Sequence, residues 1–241
     1  MQINARSLRN LSLALGVFVT LQIVFSLGIR PERAQWGNVP DAPNINAYQS
    51  SFLGDTSLAH RMVGMLLQNF GGSGGRVESI HEYDMHKVAQ WLALGFELEE
   101  RSNYLPFLAA YYFGATETKS ELEPLIDFLA EVGRYDDDDN WRWLSNAVYL
   151  ARFRAENFEK AVVLADELAT MYRPGRPALI AQMPAFIQLQ IGDKDAAYAI
   201  MLELIKESSE TMHPNEVNFM VDYICTRTLS PKKALENPLC Q

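Results

Sequence analysis

The chain has 241 residues, 48% of them hydrophobic, with 21 basic against 30 acidic side chains and a formal charge of -9. That balance offers no basic stripe for nucleic acid and argues against flat adsorption of a domain onto anionic lipid. Two cysteines and four histidines, with no CxxC or paired histidines, exclude a disulfide-built scaffold and a zinc site.

In chain order, the first feature is a charge-free apolar stretch over residues 11–29, LSLALGVFVTLQIVFSLGI, bracketed by Arg6 and Arg9 before it and by Arg30 and Arg33 after. As a helix its roughly 19 residues span about 28 Å, against a bilayer hydrocarbon core of about 30 Å. A cleaved secretory signal is the other reading. However, Phe25-Ser26-Leu27-Gly28-Ile29-Arg30-Pro31-Glu32 lacks the small-x-small cleavage site. An uncleaved anchor is therefore expected, with Leu11, Phe18, Leu21, Phe25 and Ile29 facing lipid. Arg6, Arg9 and the free amine outweigh Arg30 and Arg33, which are diluted by Glu32 and Asp41. This places the N-terminus in the cytoplasm and the following domain outside it, as in a bacterial inner-membrane protein. Gln2 stands where myristoylation needs glycine.

Residues 30–51, with Pro31, Pro40 and Pro43, read as a linker. Trp36 within it either sits in the headgroup layer or plugs into the folded domain. From 52 to 241 the spacing of apolar residues predicts an all-α domain. Asp55 caps a helix carrying Leu58, Met62, Met65, Leu66 and Phe70, and Gly71-Gly72-Ser73-Gly74-Gly75 stops it. That glycine run lacks the Gly-Lys-Ser/Thr ending of a phosphate loop and reads as a connector. Further helices are expected at about 84–100, 103–115, 119–132, 141–155, 157–171, 178–190, 193–208 and 214–228.

Two joints in this series are alike. Ala155-Glu156-Asn157-Phe158-Glu159-Lys160-Ala161 and Ile191-Gly192-Asp193-Lys194-Asp195-Ala196-Ala197 stand about 36 residues apart, a period that signals a repeat. In each, Asn157 or Asp193 can cap the second helix, and an alanine sits where paired helices must approach closely.

With Asn157-Phe158 and Ala161, and with Gly192-Asp193 and Ala197, the pattern resembles the tetratricopeptide repeat family. Ala165 and Leu168, and Met201 and Leu204, stand at its later apolar positions, and Pro174 lies one residue past the family's helix-ending proline. The Trp-x-x-Leu-Gly pattern of its first helices is missing, and Pro106 and Pro184 lie in or near those helices. Helical hairpins of another family, stacked by the same physics, remain the alternative. The resemblance implies a stack of hairpins whose first helices line a concave groove. Aligned on the turns, its partner-facing places fall at Trp143, Asn146, Leu150, Phe153, Gln182, Phe186 and Gln190.

Candidate chemistry is thin. His81, Glu82, Asp84 and His86 cluster, but the two histidines lie about 140° apart on a helix and cannot chelate from one face. Asp84 is expected to cap the helix that follows. The run Asp136-Asp137-Asp138-Asp139-Asn140 lacks the glycine and distal glutamate of a calcium loop and reads as a solvated acidic loop capping the Trp141 helix. Cys225 and Cys240 either bridge, pinning the tail to the last helix, or remain two thiols. No nucleophile with a base, no paired acids and no cofactor fingerprint occurs. The expected function is a membrane-anchored protein-interaction module, an adaptor or accessory subunit of a membrane complex; the alternative is an assembly factor for envelope proteins. No enzyme activity, cofactor, metal or small-molecule substrate is expected.

Overall fold

A computed structural model describes residues 5–29, 39–70, 79–135 and 139–241, and the described residues form helices and turns with no strand. Trp36, Gly71-Gly72-Ser73-Gly74-Gly75 and Asp136-Asp137-Asp138 lie outside the described residues, as do the side chains of Ile29 and His81. The chain divides into two compact units, residues 1–37 and 38–241. The first holds helix α1, Ala5–Ile29. Its side chains are described for residues 11–25, and Leu11, Phe18, Leu21 and Phe25 are all exposed. Among the described residues no helix is long and apolar enough to cross a membrane.

The second unit starts earlier than the linker reading implies. Val39 is fully buried, and the Pro40 carbonyl accepts a 2.9 Å hydrogen bond from Trp91 Nε1. Helix α2 (Ile45–Ser50) follows, with Asn44 as its cap. Tyr48 is buried against Phe52 and Trp91. Residues 39–51 thus belong to the folded domain, because apolar side chains between the prolines find a core to enter.

The predicted helices form where caps and periodicity place them. Asp55 caps α3 (Thr56–Asn69) through Leu58 N, and Asp84 caps α4 (Met85–Leu98) through His86 N and Lys87 N. Helix α5 (Tyr104–Phe107) carries Pro106 in its first turn, where no amide is needed. It runs on through a π turn, Leu108–Tyr112, and a 3-10 turn, Phe113–Ala115. Then come α6 (Glu123–Arg134), α7 (Trp141–Tyr149) with a π turn Leu150–Arg154, and α8 (Phe158–Thr170). Helix α9 (Leu179–Gln190) keeps Pro184 buried inside it. The chain closes with α10 (Lys194–Ser208), α11 (Pro214–Tyr223) with a π turn Ile224–Thr228, and the short α12 (Pro231–Glu236). From α6 to α10 each helix packs chiefly on its neighbours in sequence.

Close approach depends on small residues. Ala161 and Ala197 are both fully buried. At Gly133 in α6, an added Cβ would meet the backbone nitrogen of Leu144 in α7 at 2.6 Å. The core forms two clusters. The larger runs from Val39 to Ile187, and the smaller is built from Ala178, Ala185, Ala197, Met201, Met212, Met220 and Ile224. Helix α9 contributes to both, giving Ile180 and Ile187 to the first and Ala185 to the second. Cys225 and Cys240 form a disulfide, Cα atoms 5.8 Å apart, that holds the tail beyond α12 to the π turn after α11.

Two stability outcomes follow. Gly133→Ala should destabilise despite alanine's better helix propensity, because backbone cannot yield; Ala161→Leu and Ala197→Leu should each cost roughly 1–3 kcal/mol by overpacking, read by chemical denaturation. Replacing both cysteines with serine opens the cross-link between residues 15 apart and should lower stability by up to about 3 kcal/mol, with the loss confined to the C-terminal helices in hydrogen exchange.

Candidate functional site

The two matching joints share a backbone device. Gly192 turns at φ 95°, and Glu156, at the corresponding place, adopts φ 56° despite its side chain. The next residue caps the following helix: Asn157 Oδ1 accepts from Lys160 N at 3.1 Å, and Asp193 Oδ1 from Ala196 N at 2.8 Å. Before Glu156 the π turn closes with Ala155 N donating to Leu150 O and Asn157 N to Ala151 O, both at 2.8 Å. Arg154 Nη2 donates to the carbonyls of Ala115 and Thr116, each at 3.0 Å, joining this turn to the end of the 3-10 turn Phe113–Ala115. Lys119 Nζ pairs with Glu156 at 2.6 Å.

This anchored joint displays an apolar strip. Tyr149 and Phe153 lie with ring centroids 5.2 Å apart and planes tilted by 37°, since side chains four apart share a helix face. The Arg152 guanidinium lies 5.3 Å from the Phe153 ring and 4.1 Å over the Phe158 ring. Phe158 in turn walls an open cleft of about 660 Å³ with Glu159, Val162, Gln190 and Ile191. Exposure along the strip ranges from 37% at Phe158 to 53% at Tyr149, with Ile191 at 45%. A contiguous run of exposed Tyr, Phe and Ile around a half-buried Arg is the composition of energetic centres in protein interfaces.

The predicted partner residues divide accordingly. Phe153 and Gln190 both fall on the strip. Trp143, Leu150 and Gln182 are buried and are corrections. Trp143 Nε1 donates to Asn103 Oδ1 at 3.0 Å, Leu150 starts the π turn, and Gln182 Nε2 reaches Glu216 at 3.4 Å. Asn146 is half-buried and spends its amide on the Arg142 carbonyl at 2.8 Å, while Phe186 packs between Phe219 and Tyr223. The π turn Leu150–Arg154 adds a residue after α7, which rotates Trp143 and Asn146 relative to an uninterrupted helix.

Sequence reasoning missed Tyr149, Arg152, Phe158 and Ile191 as one surface. A signal was present: Phe107-Leu108-Ala109, Tyr149-Leu150-Ala151 and Tyr223-Ile224-Cys225 repeat aromatic, buried aliphatic and small residues at the start of all three π turns. Phe107 and Tyr111 form a second exposed aromatic pair, 5.0 Å apart. The acidic loop also differs from expectation. Asn140 is the N-terminal boundary of α7 without a side-chain cap bond, and Asp139 instead pairs with Arg142 at 3.3 Å. Among the described residues no group of three or more His, Cys, Asp or Glu could hold a metal.

The hydrogen bond and charge of Lys119 hold the Glu156 carboxyl below its ordinary range. A depressed carboxylate contributes in full above its unfolded value near 4.5 and loses that contribution as pH falls through the folded value. Carboxyl NMR titration should therefore give Glu156 a midpoint below 4.5, moving upward in Lys119→Met. Comparison with known proteins finds no family model, no curated protein and no solved structure that matches the chain.

Proposed function

We propose that the chain is a membrane-anchored interaction module, an adaptor or accessory subunit of a membrane complex, that docks a partner protein on the strip from Tyr149 to Ile191. The carrying observation is the contiguous exposure of Tyr149, Phe153, Phe158 and Ile191 around the half-buried Arg152 on a joint tied down by caps and carbonyl clamps. Residues in such surfaces are worth about 2 kcal/mol or more each when they anchor a partner.

The domain is read as tetratricopeptide-like hairpins. The left-handed residue, side-chain cap and buried alanine at both Glu156-Asn157-Ala161 and Gly192-Asp193-Ala197 support that reading. Anchoring rests on the charge-free sequence of residues 11–29. The Cys225–Cys240 disulfide fits an extracytoplasmic domain, since such bonds persist in oxidising compartments.

The full chain extracted in mild detergent should co-purify a partner in fixed stoichiometry. Phe153→Ala and Ile191→Glu should reduce that yield by about tenfold or more with helicity and melting retained, whereas Leu235→Ala, exposed outside the strip, should not. Undiminished capture by both strip variants, or a mixed substoichiometric set of proteins, would overturn the proposal. Extraction by carbonate without detergent would overturn the anchor.

A further inference from the structure

We propose that the segment docked on the strip carries a single carboxylate side chain flanked by apolar residues, its carboxylate seated on Arg152 and an apolar neighbour in the Phe158–Val162–Ile191 cleft. This rests on the reading of the strip as a docking face.

Arg152 differs from its neighbours in commitment. Arg134 makes a two-pronged bond to Glu167, Arg142 pairs with Asp139, and Arg154 is held by the Ala115 and Thr116 carbonyls. Arg152 makes no ion pair or hydrogen bond among the described residues, its Nε lies buried without a partner, and its charge acts on the Glu156 carboxylate only at longer range. The guanidinium carbon lies over the Phe153 and Phe158 rings. With Nε buried, the terminal Nη pair is the edge left to meet a carboxylate in two parallel bonds. The stacked rings fix the fork before binding, so less side-chain freedom is lost when a ligand arrives.

The same surroundings limit the ligand to one acid. The chain carries a net -9, which repels a strongly acidic segment at long range. Glu159 is exposed and lines the cleft with Val162 and Ile191, so a second carboxylate entering there meets a like charge. An uncharged apolar side chain meets Phe158, Val162 and Ile191 instead. A cationic segment finds an unpaired guanidinium in its path.

Calorimetry on the full chain in detergent tests this with three end-blocked peptides, Ser-Phe-Glu-Leu-Ile-Ser and its Gln and Lys counterparts at the third position. The Glu peptide should bind about tenfold or more tighter than the Gln peptide, and the Lys peptide weakest. Arg152→Gln should erase the Glu preference, and Arg152→Lys should keep part of it, both with unchanged melting. No binding of the Glu peptide up to about 1 mM, or a preference that survives Arg152→Gln, would overturn the inference. Equal binding of the Glu and Gln peptides, both lost in Ile191→Glu, would sink the carboxylate while leaving the docking face intact. Glu-peptide binding that ignores Ile191→Glu would sink the face itself. Phosphatidylglycerol vesicles bound through Arg152, or a concentration-dependent dimer lost in Ile191→Glu, would replace the peptide by a lipid surface or a second copy and overturn the proposal.

Discussion

The joint between paired helices is the constraint on which the domain depends. A helix ends, one residue must reverse the chain in the left-handed region, and the next helix must start at once with its first amides satisfied. At Gly192 the reversal uses glycine; at Glu156 a side-chain-bearing residue does the same at φ 56°. That conformation costs roughly 1 kcal/mol for a residue with a Cβ. It persists because Asn157 caps α8, the π turn supplies amide bonds from both sides, and Lys119 holds the Glu156 carboxylate. The buried Ala161 then lets the second helix lie close. Moving any one of these would turn Phe153, Arg152 and Phe158 away from one another.

The distribution of core mass explains why the strip sits where it does. The larger cluster is filled with Leu, Ile, Phe and Trp side chains, whereas the smaller is built mostly from alanines and methionines. Methionine fills irregular space adaptably but specifies it less well. Helix α9 belongs to both clusters, and its end supplies Gln190 and Ile191 to the cleft opposite Phe158 at the start of α8. The C-terminal helices bury few large side chains. The tail compensates covalently: Cys240 is fastened to Cys225, and Asn237 reaches the Tyr198 hydroxyl at 3.3 Å.

Helices, caps and close-packed alanines were legible because each depends on residues near one another in sequence. Asp55, Asp84, Asn157 and Asp193 cap the helices that their spacing to the first apolar residue indicates. Residues 39–51 were not legible as part of the domain because the Pro40 carbonyl and the Tyr48 ring meet Trp91, forty or more positions away. The partner-facing residues failed for a local reason. The helix carrying Trp143 ends in a π turn that begins at Leu150, and one extra residue rotates what precedes it by about 100° relative to an uninterrupted helix, which periodicity alone does not mark. The stacking of Arg152 between Phe153 and Phe158 crosses the joint and has no signature in periodicity.

Residue-resolved hydrogen exchange on the free, full-length chain tests most directly whether that joint is fixed before any partner arrives. The amides of Ala155, Asn157 and Lys160, bonded to Leu150 O, Ala151 O and Asn157 Oδ1, should exchange orders of magnitude more slowly than exposed loop amides, at rates close to those of the adjoining helix α8. Exchange of these three amides at loop-like rates, with α8 itself protected, would mean that the strip is not held together in the free protein and would contradict the account.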